Sequence, residues 1–134
     1  MITGINHITL SVRSLSESFA FYQNVLGFKP LMKKQKSAYF LAGNLWFCIE
    51  EDPFVRQREL PEYTHLAFTV AQADFPLMCD RLNAANAKIF KENKSEGNSV
   101  YFIDPNGHKL ELHVGDWQSR LTEYRGQEDA EFFV

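Results

Sequence analysis

Cysteine is scarce in this chain. There are two, Cys48 and Cys79, in 134 residues, neither clustered nor in CxxC spacing. A disulfide framework is thereby excluded, and a reducing compartment fits. Long apolar runs are also missing; none approaches the roughly 20 residues of a membrane span. No charged leader with an apolar centre precedes the first strand-like pattern, so a cytoplasmic location is expected. Basic charge is not in excess either: 14 Lys and Arg against 17 Asp and Glu leave a formal net charge of −3. The chain therefore lacks the footprint of a nucleic-acid binder and the cationic amphipathic run of a membrane-surface protein. Phenylalanine, by contrast, is abundant, with 12 residues in a chain that is 45% apolar. One compact domain with a well-filled core, or a sizeable subunit interface, is expected.

The segment DPNGHKLELHVG at 104–115 carries a two-residue hairpin signal at Asn106-Gly107, so a strand should begin near His108. Side chains alternate along a strand, which sets Leu110, Leu112 and Val114 on one face and Lys109, Glu111 and His113 on the other. NHITLSV at 6–12 and THLAFTV at 64–70 repeat one pattern, each opening its polar face with a histidine. A helix follows both copies. Ser14 and Glu17 predict a capping box, with Leu15, Phe19, Tyr22 and Leu26 as the buried stripe and Gly27 as the stop. The second helix has Phe75, Met78, Leu82 and Ala85 on its stripe, and Pro76 fits only its first turn. Three strand-like stretches then follow in each half, at 28–34, 37–42 and 45–50 and at 88–91, 99–103 and 108–114.

The implied fold is α+β: two βαβββ modules, 4–50 and 63–115, joined by a polar linker at 51–62 and followed by a helix and tail at 116–134, all in one domain spanning 1–134. Set side by side, two such units curve into a cup whose inner face carries His7, His65 and Glu111. Two imidazoles and one carboxylate have the composition of a metal site with open positions, and that set does not choose among Mn²⁺, Fe²⁺, Zn²⁺ and Ni²⁺. His113 lies about 7 Å beyond Glu111 and reads as a supporting or structural group. His108, at the start of the strand, is expected to face solvent. Cys48 occupies the position that mirrors Glu111, so a second complete site is not expected. The loop at 91–102 crowds Asn93, Ser95, Glu96, Gly97 and Ser99 together, a density of oxygens and amides suited to a monovalent cation or an oxyanion. Lys91 and Tyr101 flank it, and Arg120 on the last helix is placed to reach the cup mouth or to face solvent.

These residues resemble the vicinal oxygen chelate superfamily and, within it, the fosfomycin-resistance glutathione transferases. The matching stretches are NHITL at 6–10, AYFLAGNLWFC at 38–48, YTHLAF at 63–68, NKSEGNS at 93–99, YFIDPNGHKLELHVGD at 101–116 and SRL at 119–121. DPNGHKLEL is shared widely in the superfamily, whereas NKSEG together with YTH and LWFC is more specific. The resemblance implies Mn²⁺ on His7, His65 and Glu111. It also implies a homodimer that exchanges modules, so that His7 meets the other two ligands of the second subunit. It places K⁺ at Asn93, Ser95, Glu96, Gly97 and Ser99, and the phosphonate of fosfomycin at Lys91, Ser95, Ser99, Tyr101 and Arg120. Thr9 corresponds to the residue that hydrogen-bonds the opening epoxide oxygen, Trp46 and Tyr63 line the pocket, and Tyr39 is associated with the thiol. Glutathione is the implied co-substrate, and Lys34, Lys36 and Lys94 are candidates to attract its carboxylates. Related transferases often carry tryptophan and glutamine near the positions of Lys34 and Lys36, and the tail GQEDAEFFV is unusually acidic.

Four rivals share the fold. A fosfomycin hydrolase would need a glutamate base near Asn44, where this chain has an amide. A glyoxalase I would need a fourth protein ligand at Cys48, and an extradiol dioxygenase would need Fe²⁺ and a longer chain. A metal-free protein that sequesters an anionic drug would have no need of all three ligands.

Overall fold

The computed structural model describes all 134 residues, Met1–Val134. The first module runs β1 (His7–Val12), α1 (Leu15–Ala20), a π turn (Phe21–Val25), β2 (Lys29–Lys33), β3 (Ser37–Ala42) and β4 (Leu45–Glu51). The second runs β5 (Leu66–Thr69), α2 (Phe75–Ala84), β6 (Ile89–Lys91), β7 (Ser99–Ile103) and β8 (Lys109–His113), and α3 (Trp117–Tyr124) closes the chain. Each module forms a four-stranded sheet, in the orders β1-β4-β3-β2 and β5-β8-β7-β6. The first strand of each module pairs in parallel with the last and occupies a sheet edge. The duplication expected from the sequence is therefore present strand for strand.

The first helix departs from expectation in two ways. Ser14 accepts the Glu17 N–H at 3.3 Å, but no bond from the Ser14 N–H to the Glu17 side chain completes the box; separately, the Leu15 N–H is taken up by Glu51 Oε1 at 3.0 Å. Past Ala20 the helix widens, and the Leu26 N–H reaches the Phe21 carbonyl five residues back. Phe21 and Tyr22 are both buried as a result, so the buried stripe takes in a residue that a strict α-helical period leaves out.

Alternation decides what each sheet buries. Phe40, Phe47 and Ile49 on the first sheet and Phe102, Leu110 and Leu112 on the second enter one core cluster, together with Tyr22, Phe28 and Leu82 from the helical side. Truncating a ring such as Phe47, fully buried there, costs about 3–5 kcal/mol. Because both sheets contribute their apolar faces to that cluster, their polar faces point away from it. A single chain therefore packs its modules back to back, and its own two sheets do not close the expected cup.

The segment DPNGH joins the modules. Asn106-Gly107 is not a two-residue hairpin. The Asp104 N–H reaches the His108 carbonyl, the Asp104 carbonyl accepts the Gly107 N–H, and only Gly107 has positive φ, +97°. This is a three-residue loop ending in a left-handed glycine. A Cβ at Gly107 would collide with the backbone of Arg58 and Glu59, so the linker crosses directly over it. His108 is also not at the surface: it is buried, with Nε2 2.7 Å from the Ser11 carbonyl of the first module.

Candidate functional site

The second module assembles one cluster. Glu111 on β8 stands opposite Ala67 on β5 and Tyr101 on β7, and His65 immediately precedes β5. His65 Nε2 lies 3.0 Å from Glu111 Oε1, and its Nδ1 lies 3.1 Å from the Tyr63 carbonyl. A carbonyl only accepts, so Nδ1 carries a proton and donates it there. In the neutral imidazole that leaves the Nε2 lone pair facing a carboxylate oxygen, an arrangement that needs a proton or a cation between the two atoms. A divalent metal supplies one, and the donor set fits it: an imidazole with its other nitrogen anchored and an anionic oxygen.

Glu111 is buried, with 5% of its surface exposed, and its other oxygen accepts from Ser99 Oγ at 2.6 Å. Ser99 Oγ is also 2.6 Å from His113 Nδ1, so His113 stands behind Ser99 rather than beside His65. Lys91 Nζ donates to the Tyr63 hydroxyl at 2.6 Å and lies over the rings of Tyr63 and Tyr101, 4.3 and 4.8 Å from their centroids. The Tyr63 hydrogen bond is the main cause that raises the Lys91 pKa above its ordinary value, with Glu111 adding a smaller electrostatic pull, so the ammonium stays charged.

The polar loop after β6 folds back on itself. Asn93 Oδ1 accepts from Ser95 N–H at 3.0 Å and Ser95 Oγ at 2.7 Å, while Asn93 Nδ2 donates to the Gly97 carbonyl at 2.8 Å. Gly97 has φ +77°, and a Cβ there would run into the Val114 carbonyl. Glycine is thus required by conformation and by close approach. Ser95 Oγ is 3.5 Å from the Tyr101 hydroxyl, and Glu96 Oε2 is 3.4 Å from Arg120 Nε. Arg120 is held over the loop by α3, whose start is fixed by a reciprocal Asp116–Ser119 cap. That cap was not among the sequence expectations, because serine at the third helical position is a weaker signal than glutamate or glutamine.

The first module carries a separate cluster. His7 stands opposite Trp46, and both Thr9 and Tyr39 stand opposite Cys48. The His7 and Trp46 rings are 4.5 Å apart, and Tyr39 meets Trp46 edge-on at 5.3 Å. His7 Nδ1 is anchored 2.7 Å from Asn6 Oδ1, again leaving Nε2 free. A cavity of about 300 Å³ opens here, lined by His7, Thr9, Tyr39 and Trp46 and also by Lys34 and Glu50. Burial raises the Cys48 thiol pKa, against a smaller lowering effect of its hydrogen bond from Thr9, so Cys48 behaves as a small core residue rather than a thiolate.

Lys36 and Lys94 are exposed and do not line this cavity; of the three candidate lysines only Lys34 does. Glu50 is not among the residues singled out from the sequence, although its strand position two residues beyond Cys48 puts it on the same face. His7 does not join His65 and Glu111, and no group of three His, Cys, Asp or Glu side chains converges within one chain. A larger cavity of about 650 Å³ lies between the β3–β4 turn and α2, lined by Asn44, Phe68, Met78 and Arg81 and by none of the candidate site residues.

Residues 4–112 match the family described as the Glyoxalase/Bleomycin resistance protein/Dioxygenase superfamily. The glutathione transferase FosA of Serratia marcescens is 45% identical, across 93% of this chain and 90% of that one. A metallothiol transferase FosB of Staphylococcus saprophyticus is 40% identical, across 93% of this chain and 85% of that one. Among solved structures, the fosfomycin resistance protein FosX of Listeria monocytogenes, complexed with Mn(II) and sulfate, matches with a TM-score of 0.80 at 34% identity. That match covers 92% of this chain and 99% of FosX.

Proposed function

This chain belongs to the glyoxalase, bleomycin resistance protein and dioxygenase superfamily and, within it, to the fosfomycin-resistance proteins; on that premise we propose that it inactivates fosfomycin by adding glutathione to the epoxide, as a metal-dependent homodimer. The observation that carries the metal part is the His65–Glu111 pair, two acceptors 3.0 Å apart on an otherwise well-bonded face. His7 is the third ligand, supplied by a second copy. Support for that comes from the outward-turned polar faces and from β1 and β5, both edge strands with a histidine at or next to their start. Mn²⁺ is the first ion to test, and other divalent ions suit the same donors.

When bound, such an ion supplies Lewis-acid stabilisation to the epoxide oxygen. The chain's own residues do the rest. Lys91, fixed between two tyrosines, offers the phosphonate a permanent positive charge. Arg120, Ser95 and Tyr101 complete the phosphonate site beside Ser99, whose hydroxyl proton is held by Glu111, and K⁺ on the 93–99 loop offsets the remaining negative charge. Thr9 donates a hydrogen bond to the oxygen released as the ring opens, Trp46 and Tyr63 wall the substrate, and Tyr39 stands on the thiol side. The thiolate sulfur bonds to the epoxide carbon, the C–O electron pair goes to oxygen, and that oxygen takes a proton. No side chain becomes covalently modified. A cytoplasmic location belongs to this reading, because glutathione is abundant in a reducing compartment and the unpaired Cys48 and Cys79 fit one. No helix is long and apolar enough to cross a membrane.

Mass spectrometry of fosfomycin incubated with the protein, Mn²⁺, K⁺ and glutathione, against a control without thiol, tests the reaction. The expected product has the summed mass of fosfomycin and glutathione and is missing from the control. A diol in both mixtures identifies a hydrolase, and tight binding without conversion identifies a sequestering protein.

A further inference from the structure

We propose that the turn Asp104–His108 is a positioning element for the metal centre: it locks the strand that starts at His7 to the strand that carries Glu111, and so fixes the angle between the two half-sites of one chain. The inference rests on the two-chain metal site proposed above. The turn belongs to the second module, yet its outward bonds go to the first. Asp104 Oδ2 accepts from the Tyr22 hydroxyl at 2.6 Å, while its Oδ1 ties down the N–H groups of Asn106 and His108 at 2.8 and 2.9 Å. Asn106 is used at both ends, accepting the Arg13 N–H at 2.7 Å and donating to Ser18 Oγ at 2.9 Å. Arg13 Nη2 reaches the Pro105 carbonyl at 2.9 Å, and His108 Nε2–H donates to the Ser11 carbonyl.

Apolar contacts such as Phe28 with Phe68, 5.2 Å between centroids, hold the modules together but do not fix their rotation. Hydrogen bonds are directional, and this set grips β1 on both sides of its last residue, Val12. His7 is four residues up the strand from Ser11, a lever of about 13 Å, and a rotation of about 10° at the grip moves it about 2 Å. Metal bonds tolerate deviations of about 0.2 Å. In a two-fold dimer whose sites each take one half from each chain, the same error enters both sites at once.

The test compares His108→Leu, which removes the donor, with His108→Gln, which keeps an N–H in its place. Two quantities are measured. One is Mn²⁺ affinity by EPR. The other is the inter-module distance distribution by pulsed EPR, between nitroxides at positions 29 and 92 in chains with Cys48 and Cys79 replaced by serine, diluted with unlabelled protein. His108→Leu is expected to broaden the distribution and weaken Mn²⁺ binding about 10-fold, the low end for groups that orient a ligand; His108→Gln should return both close to the parent. Met78→Ala on α2 serves as a destabilised control that changes neither. An unchanged distribution in His108→Leu, or equal changes in Met78→Ala, overturns the proposal. If Mn²⁺ binding in the parent proves independent of His7 and Glu111, the metal reading fails, while the distances still decide whether the turn sets the angle. Should His108→Leu not fold, Asn106→Ala, which removes both the acceptor for Arg13 and the donor to Ser18, is compared with Met78→Ala in the same two measurements.

Discussion

Ser99 Oγ donates to Glu111 Oε2 at 2.6 Å. A hydroxyl has one proton to give, so His113 Nδ1, also 2.6 Å from Ser99 Oγ, must donate to it in turn. The chain His113–Ser99–Glu111 orients the carboxylate so that Oε1 faces His65. The three side chains should therefore differ in effect by their distance from the ion. Glu111→Gln, which removes the negative charge itself, should weaken Mn²⁺ binding more than about 100-fold while the protein remains folded. Ser99→Ala and His113→Ala leave the charge and should lose about 10-fold or less. Titration calorimetry with Mn²⁺ measures all three, and equal losses in Glu111→Gln and His113→Ala would remove the distinction.

The separation of His7 from His65 and Glu111 within one chain predicts complementation. His7→Ala and Glu111→Ala homodimers should both be inactive. In a heterodimer, one site inherits both defects and the other inherits none. Mixing and exchanging the two variants should restore up to about a quarter of the parent activity, given random exchange and one good site in half of the dimers. Mass spectrometry of intact dimers confirms exchange. Exchange without activity would mean that the site is not shared between chains.

Much of this arrangement is legible in the sequence because the strand period is short and rigid. Alternation alone sets His7, His65 and Glu111 on polar faces, and the repeat places the two histidines at or next to the starts of the matching strands β1 and β5. The back-to-back packing is not legible, since alternation says which face is apolar and not what covers it. His108 shows the same limit. At a strand start an imidazole is expected in water, and only the tertiary approach of Ser11 gives it a buried partner. The π turn likewise has no period of its own to recognise, and it shows only in Phe21 joining Tyr22 in the core. Glu50 is hidden by its residue type: a carboxylate near a strand end is ordinarily a solvated charge, and alternation gives its face without the cavity that face borders.

The Glu96–Arg120 contact bears on the cation loop. Glu96 Oε2 holds Arg120 Nε at 3.4 Å, so under the proposed reading a K⁺ drawn to Glu96 would compete for the carboxylate and would free the guanidinium for the phosphonate. Activity should rise with K⁺ at constant ionic strength, and more than with Na⁺. Glu96→Gln removes the partner that K⁺ displaces, and it should raise the basal rate relative to the parent without K⁺ while flattening the K⁺ response. Initial rates across a K⁺ series decide this. A parent rate independent of K⁺ would leave 93–99 as a structural hairpin built around Gly97.

The thiol side offers the sharpest division among residues of like charge. Lys34 lines the cavity with Tyr39 and Trp46, whereas Lys36 is exposed outside it, in the same turn between β2 and β3. Long-range attraction of an anionic thiol would use both lysines almost equally, since their separation is within a Debye length of about 8 Å at physiological salt. Direct contact would use only Lys34. Glu50 adds a second constraint: its carboxylate faces the same cavity one strand step beyond Cys48, about 7 Å on, where an ammonium is welcome and another carboxylate is not. Glutathione carries an ammonium and two carboxylates at the ends of an extended molecule and can satisfy both Lys34 and Glu50. L-cysteine has its charges next to the sulfur and cannot span that step. Lys34→Gln and Glu50→Gln are therefore each expected to raise the KM for glutathione about 10-fold with little change in kcat, the pattern of lost uniform binding. Lys36→Gln should change it less than about 2-fold at physiological salt, and the KM for L-cysteine, expected to exceed that for glutathione, should move in none of the three. Steady-state kinetics with both thiols at low and physiological salt separates the cases. Equal, salt-sensitive effects at Lys34 and Lys36 would mean that the lysines steer glutathione without touching it, while an unaltered KM in Glu50→Gln would return Glu50 to the solvent.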